Sequence, residues 1–224
     1  MRTLAISDIH GCLDALQTLW KALDPQPEDH IIFVGDYVDR GPDSKGVIDF
    51  IIEQSKSLRI DCLTGNHEEK LLMSRVDPDD LVHWCAIWGG QETLDSYGTT
   101  IEDIPPEHWD FFFQNKAYVE TDTHIFVHAY ALADVPMEQQ LPYTLIHLKF
   151  NHPLYGLPQP HFSGKTLIVG HTAQKSHLPL NLGHAVCIDT DVGRGGWLTG
   201  LHVETGNYLQ ANVAGEVRDG KLEE

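Results

Sequence analysis

The chain has 224 residues, 33 of them acidic and 15 basic, for a formal net charge of −18. So acidic a protein repels nucleic acid and anionic membranes, which excludes a nucleic-acid-binding role, and no apolar run approaches the roughly 20 residues that span a bilayer. The length suits one domain with a full core. The scattered Cys12, Cys62, Cys85 and Cys187 form no CxxC pair, and the N-terminus has no signal-peptide layout, so a reducing cytoplasm is expected.

In chain order, residues 3–6 predict a short buried strand. A helix follows, with Leu13, Leu16, Trp20 and Leu23 at helical spacing. Residues 31–34 form a second apolar strand. Asp43 or Ser44 can cap a helix that buries Val47, Ile48, Ile51 and Ile52, and residues 60–63 make a third strand. Strands alternating with helices imply a right-handed parallel arrangement in the first third. Residues 66–116 read as helical, with Leu71, Leu72, Trp84, Trp88 and 111–113 as core candidates. Later strands are expected at 125–127, 166–169, 185–188, 198–203 and 208–212, with Gly206-Asn207 turning the last pair into a hairpin. The expected organisation is a single α/β domain over 1–214 with a polar, frayed tail at 215–224.

Five of these strands run into polar residues able to bind a metal or phosphate. The first leads to Asp8-Ile9-His10-Gly11, the second to Gly35-Asp36 and Asp39-Arg40-Gly41, the third to Gly65-Asn66-His67-Glu68, the fourth to His128 and the fifth to Gly170-His171-Thr172. Ligands of open α/β sheets bind beyond the carboxyl ends of strands. Taken singly, Asp8, Asp36 and Asn66 read as helix caps, and His128 or His171 as satisfied polar residues. The specificity lies in the ordered set of five. Aspartate, asparagine and histidine without thiolate suit manganese, iron or zinc, and bound cations would let an acidic chain hold phosphate.

The ordered set resembles the calcineurin-like metallophosphoesterases, in particular the phosphoprotein phosphatase group with its bacterial and phage serine/threonine phosphatases and symmetrical diadenosine tetraphosphatases. The resemblance runs over about residues 3–205 and takes in Trp88-Gly89-Gly90, Thr93-Leu94, Ser96-Tyr97-Gly98 and Ile188-Asp189-Thr190. It implies a four-layer α/β/β/α sandwich with a dinuclear metal site, manganese being favoured. Asp8 and His10 would bind one cation, Asp36 would bridge, and Asn66, His128 and His171 would bind the other. A bridging hydroxide would attack phosphorus in line. His67 would act as general acid, Asp39 would orient it, and Arg40 would grip phosphate oxygens alongside Asn66.

The sequence departs from that pattern in three places. Tyr130 replaces a glycine two residues after His128, where it could contact substrate. Asp191 replaces another glycine. No arginine lies between Arg75 and Arg194, where the family often has a second phosphate-binding arginine, leaving Lys149 or His147 as replacements. The expected activity is that of a phosphomonoester hydrolase, chiefly a protein serine/threonine phosphatase that could also take phosphotyrosine. The alternative is a symmetrical bis(5'-nucleosyl)-tetraphosphatase, which would need a base-stacking residue such as Tyr130 or Trp88. A catalytically silent binding protein would be expected to lack a ligand, and none is missing.

Overall fold

The alternation of apolar residues along the short strands decides the architecture. In the first, β1 (Thr3–Ile6), Leu4 and Ile6 face one side and Ala5 the other. In the second, β2 (His30–Phe33), Ile31 and Phe33 divide from Ile32 in the same way. Both faces are apolar, so both must be covered, as parallel strands require. In this computed structural model, which describes residues 2–223, one face meets helices and the other meets a second sheet.

The helices on the first sheet are α1 (Leu13–Leu23), α2 (Ser44–Ser55), α3 (Asn66–Ser74), α4 (Pro78–His83), α5 (Gly90–Tyr97) and α6 (Pro106–Gln114), with a π-helical turn at Trp84–Trp88. Helix α1 buries Ala15, Leu16, Leu19 and Leu23, each large apolar side chain contributing about 1.5–3 kcal/mol. The Asp43 side chain caps α2 by accepting from the Gly46 N–H at 2.7 Å.

The first sheet is completed by β3 (Arg59–Cys62), β9 (Leu198–His202), β10 (Asn207–Ala211) and β11 (Val217–Lys221), in the order β11-β10-β9-β1-β2-β3. Strands β1, β2 and β3 run parallel, with Ala5 beside Ile32 and Ile32 beside Asp61. The second sheet has the order β4-β5-β6-β8-β7, from β4 (Tyr118–Glu120), β5 (His124–Val127), β6 (Thr166–Val169), β7 (Leu180–Asn181) and β8 (Ala185–Cys187). Its central three strands are parallel. Between the sheets Ala5, Ile32, Val34 and Leu201 pack on Phe126, Ile168 and Val186. The outer face of the second sheet is covered by α7 (Pro142–His147) and the stretch before it, through Met137, Leu145 and Ile146. The four layers are the expected α/β/β/α sandwich, and no helix is long and apolar enough to cross a membrane.

The far C-terminus differs from expectation. Residues 217–221, read as part of a frayed tail, form the edge strand β11, paired from Val217 to Lys221 with β10. Apart from Val217 and Gly220 its side chains are charged, as suits an exposed edge, so it carries no apolar alternation. Arg218 lies 4.2 Å from the Trp197 ring, and its Nε donates to Gln210 at 2.8 Å. Strands β4 and β7 and helix α7 were likewise not foreseen.

The start of the chain is tied down by Asp29. Its carboxylate accepts from the Arg2 guanidinium, the Arg2 N–H and the Gln26 N–H. Pairing with Arg2, against the cost of burial, holds its pKa down at about 2. A depressed folded-state pKa gives stability that is present above the unfolded value near 3.9 and lost as pH falls towards 2. Asp29→Asn should therefore cost about 1–2 kcal/mol at pH 7, allowing for screening of the partly exposed Arg2. Urea melts should show the gap from wild type closing between about pH 4 and pH 2.

Candidate metal centre

The loops leaving β1, β2, β3, β5 and β6 meet at one edge of the sandwich and interlock through their backbones. The N–H groups of Ile9 and His10 both donate to the Asp36 carbonyl at 2.9 Å, and that of Gly170 donates to the His128 carbonyl at 2.8 Å. A Cβ on Gly65 would sit 2.2 Å from Asp36 Oδ1, and one on Gly170 would sit 2.0 Å from Asp8 Oδ1. Both positions need glycine because another loop passes so close.

Five non-glycine residues here adopt left-handed backbone: His10 (φ 48°), Asp36 (55°), Asp39 (74°), Arg40 (71°) and His171 (61°). Such conformations cost of order 1–3 kcal/mol each and persist only where the surroundings over-determine them. Much of that determination comes from Glu68. Its fully buried carboxylate accepts from the N–H groups of Asp36 (2.9 Å), Tyr37 (2.8 Å), Val38 (3.3 Å) and Gly65 (3.0 Å). Burial and the nearby Asp36 charge push the Glu68 pKa up to about 7, while the N–H donors and His128 oppose the rise.

Asp36 stands at the centre. Its Oδ2 lies 3.6 Å from His10 Nε2 and 4.0 Å from His67 Nε2, and its Oδ1 lies 3.4 Å from His128 Nε2. Two trios, His10–Asp36–His67 and Asp36–His128–His171, each keep their ligand atoms within 4.8 Å of one another, and Asp36 belongs to both. Asn66 Oδ1 joins the second trio, 3.0 Å from His128 Nε2 and 2.8 Å from His171 Nδ1. Backbone carbonyls orient two of the rings: Val38 O is 2.9 Å from His10 Nδ1, and Val34 O is 2.8 Å from His128 Nδ1. That leaves Nε2 of each ring turned to the centre, the usual outer-shell arrangement around a metal ligand.

The charges fit divalent cations. Asp8 Oδ2 accepts from the His171 N–H at 2.9 Å, but its Oδ1 is buried without a partner, a costly state that a cation would relieve. Burial, then the neighbouring Asp189, push the Asp8 pKa well up. Both ring nitrogens of His128 face oxygen atoms. Burial works against charging that ring, yet Asp36 lifts its pKa to about 10. His171, buried beside it, is pushed down to about 3. The donors are carboxylate, imidazole and amide oxygen with no thiolate, a set suited to manganese, iron or zinc.

His67 is held separately. Its Nδ1 lies 2.6 Å from Asp39 Oδ2, and the buried Asp39 also accepts from Trp84 Nε1 (2.8 Å) and Thr93 Oγ1 (2.7 Å). Burial pushes the Asp39 carboxyl up, with these donors opposing. His67 Nε2 accepts from the Arg40 guanidinium at 2.8 Å, and the other arm of Arg40 reaches His10 Nε2. A cation on His10 would need that same lone pair and so would free the Arg40 fork. The left-handed Gly89 (φ 89°), which ends the π-helical turn, brings its carbonyl within 3.2 Å of the Arg40 N–H.

The structure thus brings together Asp8, His10, Asp36, Asp39, Arg40, Asn66, His67, His128 and His171. It does not bring Tyr130. That ring follows His128 by two residues but lines another cavity, with Tyr155 and Gln159. The His147 imidazole pairs with Glu69, and only its backbone carbonyl reaches His171 Nε2, at 3.1 Å. Lys149 does line the central cavity, of 360 Å³, together with Arg40, Lys175, Arg194 and the carboxylates of Asp36 and Asp189. Asp191 pairs with Arg194 at 3.3 Å. A larger cavity of 570 Å³ lies between α1 and the β9–β11 end of the first sheet, but neither metal trio is near it. Glu68, Thr93, Lys175 and Arg194 have no role in the sequence reading, and Trp84 is there only a core candidate, which its complete burial bears out. Glu68 and Thr93 lay inside recognised strings, whereas Lys175 and Arg194 had no local signal.

Comparisons with known proteins agree on the family. The calcineurin-like phosphoesterase family matches residues 1–175. A symmetrical bis(5'-nucleosyl)-tetraphosphatase of Ralstonia nicotianae is 35% identical over 146 residues, covering 48% of this chain and 51% of that protein. The chain spans about half or less of the length of the curated relatives it matches. Two solved structures share the fold. A protein provisionally named a diadenosine tetraphosphatase has a TM-score of 0.68 at 20% identity, covering 98% of this chain and 93% of that one. The cold-active protein tyrosine phosphatase of a psychrophilic Shewanella has a TM-score of 0.60 at 18% identity, covering 97% of this chain and 80% of that one.

Glu68→Gln should lower stability by about 2–4 kcal/mol, because an amide NH₂ would then face backbone donors. A loss under about 0.5 kcal/mol in denaturant melts would show that the clamp does not hold the loop.

Proposed function

This chain belongs to the calcineurin-like phosphoesterase family, and from that premise we propose that it is a metal-dependent hydrolase that cleaves the anhydride chain of dinucleoside polyphosphates. The expectation of a protein serine/threonine phosphatase gives way to its alternative for two reasons. The curated relatives bear the name symmetrical bis(5'-nucleosyl)-tetraphosphatase, whereas the tyrosine phosphatase neighbour shares the fold at under a fifth identity.

The observation that carries the reading is the ring of cations around the central cavity. Arg40, Lys149, Lys175 and Arg194 all line it. Among the described residues, Lys149 and Lys175 have no ion-pair partner, and neither do Lys21 and Lys221 away from this cavity, while Lys45, Lys56, Lys70, Lys116 and Lys165 are each paired with a carboxylate. In a chain of net charge −18, leaving two lysines unpaired at one cavity favours a ligand with more negative charge than one phosphate. A polyphosphate chain carries a charge on every phosphate.

In this reading Asp8, His10 and Asp36 would hold one divalent cation, and Asp36, Asn66, His128 and His171 a second. Bound there, the cations would supply charge neutralisation at the phosphoryl oxygens and an acidified water for attack. Arg40 would offer its planar fork to non-bridging oxygens. Asp39 fixes the His67 ring so that Nε2 faces the cavity, placing it to carry a proton to the leaving oxygen. Symmetrical cleavage of a tetraphosphate would release two nucleoside diphosphates.

The test is hydrolysis of diadenosine tetraphosphate, a phosphoserine peptide and a phosphotyrosine peptide, side by side, by manganese-loaded protein with a chelator control. Chelator-sensitive cleavage of the dinucleotide in preference to the peptides is expected; peptide turnover with the dinucleotide intact would overturn the reading. The double change Lys149→Ala with Lys175→Ala should raise KM for the dinucleotide about tenfold and that for nitrophenyl phosphate less than about twofold. His67→Ala should cut kcat by about 10²–10⁴ on alkyl phosphates and much less on nitrophenyl phosphate, whose leaving group needs little protonation. Equal losses on both would remove His67 from the proton-transfer step.

A further inference from the structure

Beside the metal centre lies a second cavity, of 280 Å³, lined by Tyr130, Leu132, Val135 and Tyr155, with Asp134 and Gln159 as its polar members. Two stretches of chain join it to the first. His128 belongs to the metal cluster and Tyr130 follows two residues later, a reach of at most about 7 Å of backbone. On the other side, Lys149 and Asn151 line the central cavity, while Tyr155 and Gln159 of the same segment line this one.

Its walls are aromatic. The rings of Tyr130 and Tyr155 lie 6.5 Å apart, inclined at 42°, and the His152 ring is 5.1 Å from that of Tyr155. Tyr155 is 52% exposed, beside Leu154 at 85% and Leu157 at 42%, more apolar surface than a short loop keeps in water without a use. Tyr130 is only 3% exposed, yet its hydroxyl makes no hydrogen bond among the described residues. Nor is it among the sealed polar atoms that lack a partner, so the hydroxyl keeps some contact with solvent.

We propose that this aromatic cavity is a nucleobase subsite, which takes one base of the dinucleotide while the polyphosphate chain crosses the cation-ringed cavity. The inference rests on the dinucleotide reading and names where that substrate is recognised. A base has flat apolar faces and a hydrogen-bonding edge. The tyrosine rings match the faces, and the Tyr130 hydroxyl, the Gln159 amide and the Asp134 carboxylate match the edge. The volume falls near the low end of ligand pockets, roughly 300–1,000 Å³. It admits one base and leaves the second nucleoside outside.

Tyr155→Ala alters a half-exposed ring and leaves the core alone. It should raise KM for diadenosine tetraphosphate about tenfold with kcat within about twofold, from loss of stacking, and should leave inorganic tripolyphosphate unaffected. Tyr130→Phe, which removes only the hydroxyl, should raise KM about two- to threefold. Independently of turnover, saturation-transfer NMR on chelated protein should show magnetisation passing to the adenine protons of adenosine monophosphate in wild type and not in Tyr155→Ala. Transfer that depends on Tyr155 supports the subsite even if the dinucleotide is not cleaved, in which case the functional reading alone fails. Cleavage with KM and transfer unchanged in Tyr155→Ala overturns the subsite and leaves the functional reading standing. Absence of transfer in wild type overturns the subsite.

Discussion

The buried Glu68 carboxylate, accepting N–H groups from both the β2 loop and the β3 loop, is the interaction on which the site depends. The β2 loop carries Asp36, Asp39 and Arg40, all in left-handed backbone, a conformation that a free loop would relax. Glu68 lies in the first turn of α3, directly after Asn66 and His67, so one helical turn presents two inward polar groups and also clamps the loop opposite. The His67 N–H at the same helix start donates to Asp36 Oδ1 at 3.1 Å, where the positive end of the helix dipole favours a carboxylate.

The sandwich makes this arrangement rigid. Parallel strands from two sheets end at the same edge, and the residues just past their ends meet across the inter-sheet core. Val34, in that core, offers its carbonyl to His128 of the other sheet at 2.8 Å. The trio Asp36–His128–His171 therefore spans both sheets, whereas His10–Asp36–His67 comes from the first sheet alone, and sliding one sheet on the other would pull Asp36 away from His128 and His171. The helical excursion between β3 and β4 adds the outer support: Trp84 and Thr93 hold Asp39, and Asp39 holds His67.

Charge is distributed unevenly. The chain is strongly acidic, and most of its lysines are neutralised by neighbouring carboxylates, but the central cavity collects four cations beside Asp36 and Asp189. Burial, and then the neighbouring Asp36 and Asp191 charges, push the Asp189 carboxyl up to about 6. Lys149, Lys175 and Arg194 arrive from three different segments, so a local positive field arises without any basic run in sequence.

The sequence by itself determined the two-faced apolar strands, hence a layered α/β sandwich, and the polar residues just past five strand ends, because strand period and strand-end chemistry are local properties. Their order along the chain also makes the family legible in the sequence. What only the tertiary structure decided was which side chains share a cavity. Tyr130, placed at the site by its nearness to His128, turns into a neighbouring cavity, and His147, weighed as a phosphate contact, is drawn off to Glu69. Lys175 and Arg194 enter from distant segments, and the polar β11 gains its place only by pairing with β10. Each depends on the path of a loop or on the partner a strand finds, and those are set by packing between segments far apart in the chain.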